Sequence, residues 1–251
     1  MTAPVLVQNL SKFFYDESRG ELRAVDGIDF ECRPGEIFGL LGANGAGKTT
    51  TLRMLATILK PTDGAASIMG FDVQREPEAV RRHLGFNSST TALYPRLTGR
   101  ETLEFFARIN GWPQASVRQR VDHLIERFGI GAYADARVDK LSQGMKQKVS
   151  IARTVAHDPP VLIFDEPTVG LDVLNALEMQ RLIAELRTEG KTIIFSTHVM
   201  SEAEKLCDRI AIIHAGKIHA CDTLEGLRNA TGLRYLEDIF VAYVQPRPKG
   251  S

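Results

Sequence analysis

The 251-residue chain is 43% hydrophobic, so it can bury the core of one large domain or of two small ones. Lys and Arg together number 31, as do Asp and Glu, which leaves no net basic field to attract nucleic acid, and we expect no nucleic-acid partner. Its three cysteines lack the spacing of a zinc site or a disulfide framework, so we expect a cytoplasmic protein. No apolar stretch reaches the ~18 residues of a bilayer-spanning helix, so we expect it to act at a membrane only through a partner.

The amino-terminal part of the chain is predicted to be mainly β-structure. Residues 4–10 and 23–33 carry β-like patterns around a polar loop at residues 16–21. A buried strand over residues 36–41 then runs directly into glycines, and a helical pattern follows at residues 47–59. The chain therefore passes from strand to helix through a glycine-rich connection.

The middle of the chain is predicted to be helical. Residues 99–128 contain two helical patterns, separated near Gly111, and no convincing strand. We interpret the segment from about residue 87 to residue 141 as a helical subdomain inserted in an α/β core.

The following part of the chain alternates strands with helices. Apolar strand patterns lie at residues 161–164, 192–195 and 209–214, and helical patterns lie at residues 143–157, 174–189 and 201–206. This alternation indicates a mainly parallel α/β sheet. Residues 246–251 contain Pro, Lys, Gly and Ser and are predicted to be a flexible tail.

The glycine-rich connection has the sequence Gly42-Ala43-Asn44-Gly45-Ala46-Gly47-Lys48-Thr49, which fits a P-loop. Its glycines permit a tight turn and let backbone N–H groups point at phosphate oxygens, while Lys48 reaches the β- and γ-phosphates and the Thr49 hydroxyl reaches Mg²⁺. A glycine-rich connection with an incidental lysine is the alternative, which the strand before it and the helix after it disfavour. The residues predicted to contact the nucleotide here are Gly42, Asn44, Gly45, Ala46, Gly47, Lys48, Thr49 and Thr50.

Two acids end the apolar strand pattern that begins at residue 161. Asp165 and Glu166 are expected at the carboxyl edge of the sheet, beside the P-loop. Asp165 would hold Mg²⁺, and Glu166 would polarise or deprotonate the attacking water. The alternative, that both acids only cap the helix after Pro167, is disfavoured by the P-loop in the same chain.

The segment Leu141-Ser142-Gln143-Gly144-Met145-Lys146-Gln147-Lys148 resembles the signature sequence of ABC ATPases. Ser142 and Gly144 stand where a helix begins, although Ser-x-Gly in this position is by itself more often only an N-cap. The resemblance implies that Ser142, Gln143 and Gly144 bind the γ-phosphate of ATP held by the P-loop of a second subunit. It therefore implies a dimer, of two identical chains or of this chain and a paralogue, with two shared nucleotides.

Further matches follow the order of the same family. Residues 169–172 resemble the D-loop, which adds Asp172 to the nucleotide-binding set. The strand at 192–195 is followed by His198, which resembles the histidine that senses the γ-phosphate in this family. The alternative is that His198 has only a structural role. Phe14 aligns with the aromatic residue that stacks on adenine, and the adjacent Phe13 and Tyr15 leave the stacking residue open.

The resemblance covers residues 5–221 and implies an α/β fold of the P-loop NTPase class. In this fold an ABC nucleotide-binding domain (residues 1–221) has a mainly parallel core sheet, an antiparallel β-subdomain and the inserted helical subdomain, and residues 222–251 are a carboxyl-terminal extension with a flexible tail. The resemblance also implies that the chain is an ATP hydrolase with ATP and Mg²⁺ as cofactors.

One position departs from the pattern of the family. In most relatives the strand before the helical subdomain ends in a glutamine that reaches Mg²⁺ and the water, whereas Ser89 stands there in this sequence. Because serine is shorter, Ser89 is a candidate metal ligand only through water or after a backbone shift. The following residues 90–98 resemble the ATPase subunits of Nat-type sodium-extruding exporters, which also lack the glutamine.

Residues 169–172 and 236–240 also resemble ATPases of ABC-2-type exporters. The resemblance implies that the chain powers efflux of sodium or a small molecule through a membrane-spanning subunit on a separate chain, and lies peripherally on the cytoplasmic face of the membrane. The alternative is an ABC ATPase without transport duty, which acts on another protein or a nucleic-acid machine. Such ATPases usually carry a long coiled-coil insertion, a zinc module or a second ATPase domain, and this sequence has none.

Overall fold

The computed structural model describes residues 3–16, 20–88 and 93–245. The strands in these ranges are β1 (Val5–Asp16), β2 (Gly20–Cys32), β3 (Ile37–Leu41), β4 (Asp63–Ile68), β5 (Phe71–Asp72), β6 (Leu84–Ser88), β7 (Val161–Asp165), β8 (Thr192–Thr197), β9 (Arg209–His214) and β10 (Lys217–Asp222). The helices are α1 (Lys48–Leu55), α2 (Pro77–His83), α3 (Gly99–Ile109), α4 (Val117–Arg127), α5 (Gln143–Thr154), α6 (Val173–Thr188), α7 (Met200–Leu206), α8 (Leu224–Thr231) and α9 (Leu236–Val244).

Four strands form an antiparallel sheet in the order β2-β1-β4-β5. Its inner face buries apolar residues of β1 such as Val5 and Val7, which pair with Cys32 and Phe30 of β2. The antiparallel subdomain is therefore confirmed, but the predicted loop at residues 16–21 is too long. β1 extends to Asp16 and β2 begins at Gly20, because the ladder continues through polar positions that the loop prediction excluded.

Six strands form the core sheet in the order β10-β9-β3-β8-β7-β6. Neighbouring strands from β9 to β6 run parallel, and β10 adds an antiparallel edge. Every residue of β3, β7 and β8 is buried, as expected for parallel strands covered on both faces. The mainly parallel core sheet is confirmed, and its carboxyl edge brings together the chain segments that follow β3, β7 and β8.

Helices α3 and α4 lie between β6 and β7 in the chain. A capping box starts α3: the Glu101 N–H donates to Thr98 Oγ1 at 3.1 Å, and the Thr98 N–H donates to Glu101 Oε2 at 2.8 Å. The buried faces of α3, α4 and α5 share one apolar cluster, which includes Leu103, Leu124 and Val149. Asn87 and Ser88, which the subdomain prediction of about 87–141 included, are the last residues of β6 in the core sheet.

Several elements were absent from the sequence prediction. β4 has the sequence DGAASI, in which Ile68 is the only β-branched residue and no residue is aromatic, so it gives little signal for a strand, and α2 is only seven residues long. The helices predicted at residues 47–59 and 143–157 end earlier, at Leu55 and Thr154. The fold class is unaffected by these differences.

The segment after β10 packs against the core sheet. Leu227 of α8 and Leu236 and Ile239 of α9 are buried in one apolar cluster with Ile210 and Ile212 of β9. The division at residue 221 stays a prediction, as does the tail at residues 246–251, which lies outside the described residues. Of the helices in the described ranges, none has both the length and the apolar character needed to cross a membrane.

Candidate active site

The glycine-rich connection leaves β3 at Leu41 and enters α1 at Lys48. Two of its glycines lie where a side chain does not fit. Gly47 has a φ of 110°, and a Cβ there would lie 2.6 Å from the Ala24 carbonyl oxygen; a Cβ on Gly42 would lie 2.4 Å from the Ile213 carbonyl oxygen. The tight turn predicted from the glycines is therefore present, and it ends at the amino terminus of α1.

Lys48 points into the centre of the turn. Its side chain is only 4% exposed, and Nζ donates hydrogen bonds to the carbonyl oxygens of Gly42 at 2.7 Å and Ala43 at 3.1 Å. Nζ also lies 3.0 Å from Glu166 Oε1. Lys48 therefore joins the loop after β3 to the acid that follows β7.

Asp165 ends β7 and is held by three hydroxyl groups. Ser196 Oγ donates to Asp165 Oδ1 at 2.7 Å, Thr49 Oγ1 lies 3.2 Å from the same oxygen, and Ser88 Oγ lies 3.4 Å from Oδ2. Thr49 and Asp165 were predicted as neighbours at a metal site, and the structure brings them together. Sequence reasoning missed Ser88 and Ser196, whose only signal is that each stands at the end of a buried strand beside β7.

Glu166 is the first residue after β7 and has a left-handed φ of 50°. Its N–H is directed at Ser196, at 3.1 Å from Oγ and 3.2 Å from the carbonyl oxygen, which anchors this strained backbone. His198 Nδ1 lies 3.3 Å from Glu166 Oε1, so both predicted catalytic residues are in contact. Burial opposes the charged form of Glu166, but Lys48 and then His198 outweigh it and hold the pKa of this carboxyl below its usual value.

A cavity of about 240 Å³ opens between the loop and the two acids. Its lining comprises Ala24, Asn44, Gly45, Gly47, Lys48, Thr49, Thr50, Asp165 and Glu166. A lysine, backbone N–H groups at a helix start and hydroxyls suit phosphate oxygens, and the Thr49 hydroxyl beside the Asp165 carboxylate is the hard oxygen donor set that Mg²⁺ prefers. The residues present therefore fit a magnesium-bound nucleoside triphosphate.

The predicted signature residues lie at the start of α5. Ser142 is the N-cap, with Oγ accepting from the Met145 N–H at 3.3 Å. A Cβ on Gly144 would lie 2.7 Å from Asn175 Oδ1, so glycine allows α5 to approach α6 closely. Asp172 caps α6 and accepts from the Asn175 N–H at 3.0 Å. Ser142, Gln143, Gly144 and Asp172 are thus near one another, and none is among the described residues that line the cavity.

The aromatic residues predicted near adenine lie on β1. Phe14 is 41% exposed, with Lys12 Nζ 5.2 Å from its ring centroid, while Phe13 packs against Arg23 and Tyr15 is exposed. None of the three belongs to the described lining of the cavity, so the stacking residue stays open. Ser89, the candidate metal ligand at the position of the family's glutamine, lies outside the described residues.

Comparison with known proteins places this geometry in a family. Residues 25–169 match the ABC transporter family. The ABC transporter ATP-binding protein NatA of Bacillus subtilis (strain 168) is 38% identical over 239 residues, which are 95% of this chain and 97% of that protein. The Nod factor export ATP-binding protein I of Paraburkholderia xenovorans (strain LB400) is 44% identical over 201 residues, 80% of this chain and 66% of that protein. The daunorubicin/doxorubicin resistance ATP-binding protein DrrA of Streptomyces peucetius is 38% identical over 214 residues, 85% of this chain and 65% of that protein.

Solved structures agree with these relatives. The structure of an ATP-binding subunit of an ABC transporter superposes with a TM-score of 0.86 at 32% identity, over 96% of this chain and 99% of that chain. A dimeric ATP-binding cassette in a post-hydrolysis state with ADP and Pi superposes with a TM-score of 0.80 at 26% identity, over 88% of this chain and 98% of that chain. The phosphate-binding turn, the acids beside it and these similarities lead to one conclusion: the chain belongs to the ABC transporter family, as an ATP-binding subunit that hydrolyses ATP.

Proposed function

We propose that this chain powers an exporter whose membrane-spanning subunit is a separate polypeptide. The observation that carries the proposal is the convergence of Lys48, Asp165 and Glu166 on one cavity at the carboxyl edge of the core sheet. Export is supported by the relatives, since one is named for Nod factor export and another for daunorubicin and doxorubicin resistance. Sodium or a small molecule is the proposed cargo.

The proposed hydrolysis uses the residues around the cavity. Lys48 and the loop N–H groups hold the β- and γ-phosphates, and Thr49 and Asp165 hold Mg²⁺, which would neutralise charge on the phosphate oxygens. Glu166 accepts a proton from the attacking water, a role that its ionised carboxylate permits. His198 contacts Glu166 and positions it or senses the γ-phosphate. Ser89, reaching Mg²⁺ through water, stays a prediction.

The complete site is proposed to need two chains. Ser142 is exposed at the start of α5 and, with Gly144, lies outside the lining of this chain's own cavity. The solved ATP-binding cassette that is dimeric with ADP and Pi supports a dimer, in which we propose that these residues face the γ-phosphate held by the second chain. Two nucleotides would then be shared by a homodimer or by this chain and a paralogue.

The membrane-spanning partner is proposed to dock where the core sheet meets the helical subdomain. The chain is proposed to lie on the cytoplasmic face of the membrane. The test begins by searching the adjacent coding sequences for a multi-span membrane protein. That protein is then coproduced with this chain, and ATP-dependent efflux is measured in vesicles. We expect the two chains to copurify and to move sodium or an organic cargo, and Lys48→Ala to abolish movement. A chain that copurifies with no membrane protein would contradict the proposal.

A further inference from the structure

A cavity of about 430 Å³ is lined by residues of α6 and by the segment that follows β8. Leu177 and Gln180 belong to the first group, and His198, Val199 and Glu202 belong to the second. The side chain of His198 is 39% exposed. Its ring thus borders open space, and close packing does not by itself fix the position of the ring.

Glu202 is a buried carboxylate beside this cavity. It lies in the first turn of α7 and is 6% exposed. Its Oε2 accepts a hydrogen bond from Thr197 Oγ1 at 2.6 Å, and its Oε1 accepts one from Gln180 Nε2 at 3.2 Å. Because a buried charge is costly unless it is hydrogen-bonded, these contacts are expected to be strongly maintained. Glu202 therefore ties the end of β8 to α6.

The Thr197 hydroxyl connects Glu202 to the turn formed by residues 197–199, which we call the His198 turn. Thr197 is the last residue of β8 and is 2% exposed. Its Oγ1 donates to Glu202 and also accepts from the Val199 N–H at 3.0 Å. His198 stands between the two residues that this hydroxyl joins. The backbone from which His198 reaches Glu166 is therefore held by the Thr197 hydroxyl and, through it, by Glu202.

We propose that Glu202 is a positioning residue for His198 in ATP hydrolysis. The inference rests on the proposed function, in which His198 acts with Glu166 at the γ-phosphate. Glu202 is not among the described residues that line the active-site cavity, so it acts through the His198 turn rather than on the phosphates. Without its carboxylate, the His198 turn loses its tie to α6, and His198 Nδ1 is no longer held at 3.3 Å from Glu166 Oε1.

A role in folding alone is the alternative. Glu202 is an acidic residue in the first turn of α7, where the helix dipole favours a negative charge, and the N-cap Val199 has no side-chain cap hydrogen bond. In that case its loss would lower stability and leave hydrolysis by the folded chain unchanged. The hydrogen bond from Thr197 favours the positioning role, because a charge that only stabilises the start of α7 needs no contact with the end of β8.

The experiment uses the full chain with Mg²⁺ and ATP. Glu202→Ala, Glu202→Gln and Thr197→Val are compared with wild type, with His198→Ala and with the control Glu185→Ala, which replaces an exposed glutamate of α6. The readouts are kcat and KM for ATP hydrolysis, the melting temperature, and the imidazole NMR signal of His198. This signal is assigned by its absence from the spectrum of His198→Ala.

We expect Glu202→Ala to lower kcat about tenfold, to keep KM for ATP within about twofold of wild type, and to shift the His198 signal. Glu202→Gln should retain part of the rate, because its amide oxygen still accepts from Thr197. Glu185→Ala should match wild type in every readout. A folded Glu202→Ala variant with wild-type kcat, or with an unchanged His198 signal, would overturn the inference.

Thr197→Val decides the question if Glu202→Ala does not fold, since it removes the hydroxyl that joins Glu202 to the His198 turn. It should lower kcat and shift the His198 signal in the same way, and a wild-type value of either would overturn the inference. His198→Ala separates this inference from the proposed function. Hydrolysis at the wild-type rate by His198→Ala would contradict the proposed role of His198 itself.

Discussion

The ammonium group of Lys48 lies 3.0 Å from Glu166 Oε1, so the cation expected to hold the phosphates also holds the expected base. The charge of Lys48 outweighs the burial of Glu166 and keeps the carboxylate ionised. Phosphate oxygens that attract Lys48 would compete with Glu166 for it. Binding of ATP is therefore expected to free the carboxylate for the attacking water.

Lys48→Ala should weaken ATP binding by about 100-fold, because the cavity loses its charge-assisted hydrogen-bond donor, which corresponds to about 3 kcal/mol. Equilibrium binding of a fluorescent ATP analogue measures the effect. Lys60→Ala, an exposed lysine outside the cavity, is the matched control. Wild-type affinity and hydrolysis in Lys48→Ala would show that the turn does not bind the phosphates.

Ser196→Ala tests the hydroxyl that sequence reasoning missed. The side chain of Ser196 is fully buried and contacts both Asp165 and the Glu166 N–H, so its removal takes one hydrogen-bond partner from each of these two groups. We expect the free energy of unfolding to fall by about 1–3 kcal/mol and ATP hydrolysis to slow. Chemical denaturation gives the first value, and Ser201→Ala, at an exposed position of α7, should change it by less than about 0.5 kcal/mol. Equal stabilities of the two variants would refute this role.

The difference between predicted and observed site residues has a physical basis. Lys48, Asp165 and Glu166 could be predicted to meet because parallel strands end at the same edge of a sheet and each residue follows such a strand. Ser88 and Ser196 could not, because a hydroxyl at a strand end carries no sequence signal for the direction in which it points. Phe14 aligns with a family position but lies outside the described lining of the cavity, so its contact with adenine stays a prediction.

The same distinction applies to the fold. Apolar runs such as β7 are long enough, and contain enough β-branched residues, to identify the core strands from sequence. The close approach of α5 to α6 at Gly144, and the burial of α9 against β9, depend on contacts between segments distant in the chain. Such contacts leave no local periodicity and need the three-dimensional structure.

His157 makes the stability of the chain depend on pH. Its pKa is about 4 in the folded chain, because of burial, and about 6.5 when unfolded, so the unfolded chain binds more protons between these values. The contribution of His157 to the free energy of unfolding is complete above about pH 6.5 and is lost as pH falls towards 4. The total loss is on the order of 3 kcal/mol. His157→Gln should remove this part of the pH dependence in denaturation experiments from pH 7 to 4. The exposed His123→Gln should keep it, and an identical slope for both variants would contradict the assignment.

Ser142→Arg tests the shared site from the opposite side. In a Glu166→Gln background, where ATP is bound but not hydrolysed, we expect a dimer that forms only with ATP. Arginine at the exposed N-cap of α5 should block the γ-phosphate position and leave monomers, whereas Ser116→Arg should not. Light scattering with size-exclusion chromatography measures the masses. A full ATP-dependent dimer of the Ser142→Arg variant would argue that the start of α5 lies outside the interface.

Replacement of Glu166 tests whether this residue is the base for ATP hydrolysis in the cavity beside Lys48. Steady-state hydrolysis at saturating Mg²⁺ and ATP is compared for wild type, Glu166→Gln and the exposed control Glu225→Gln, with ATP binding measured on the same samples. Because an amide keeps the shape of the side chain but accepts no proton, we expect Glu166→Gln to bind ATP like wild type and to hydrolyse it at least about 100-fold more slowly. A Glu166→Gln variant that binds ATP and hydrolyses it as fast as the control would show that Glu166 is not the base.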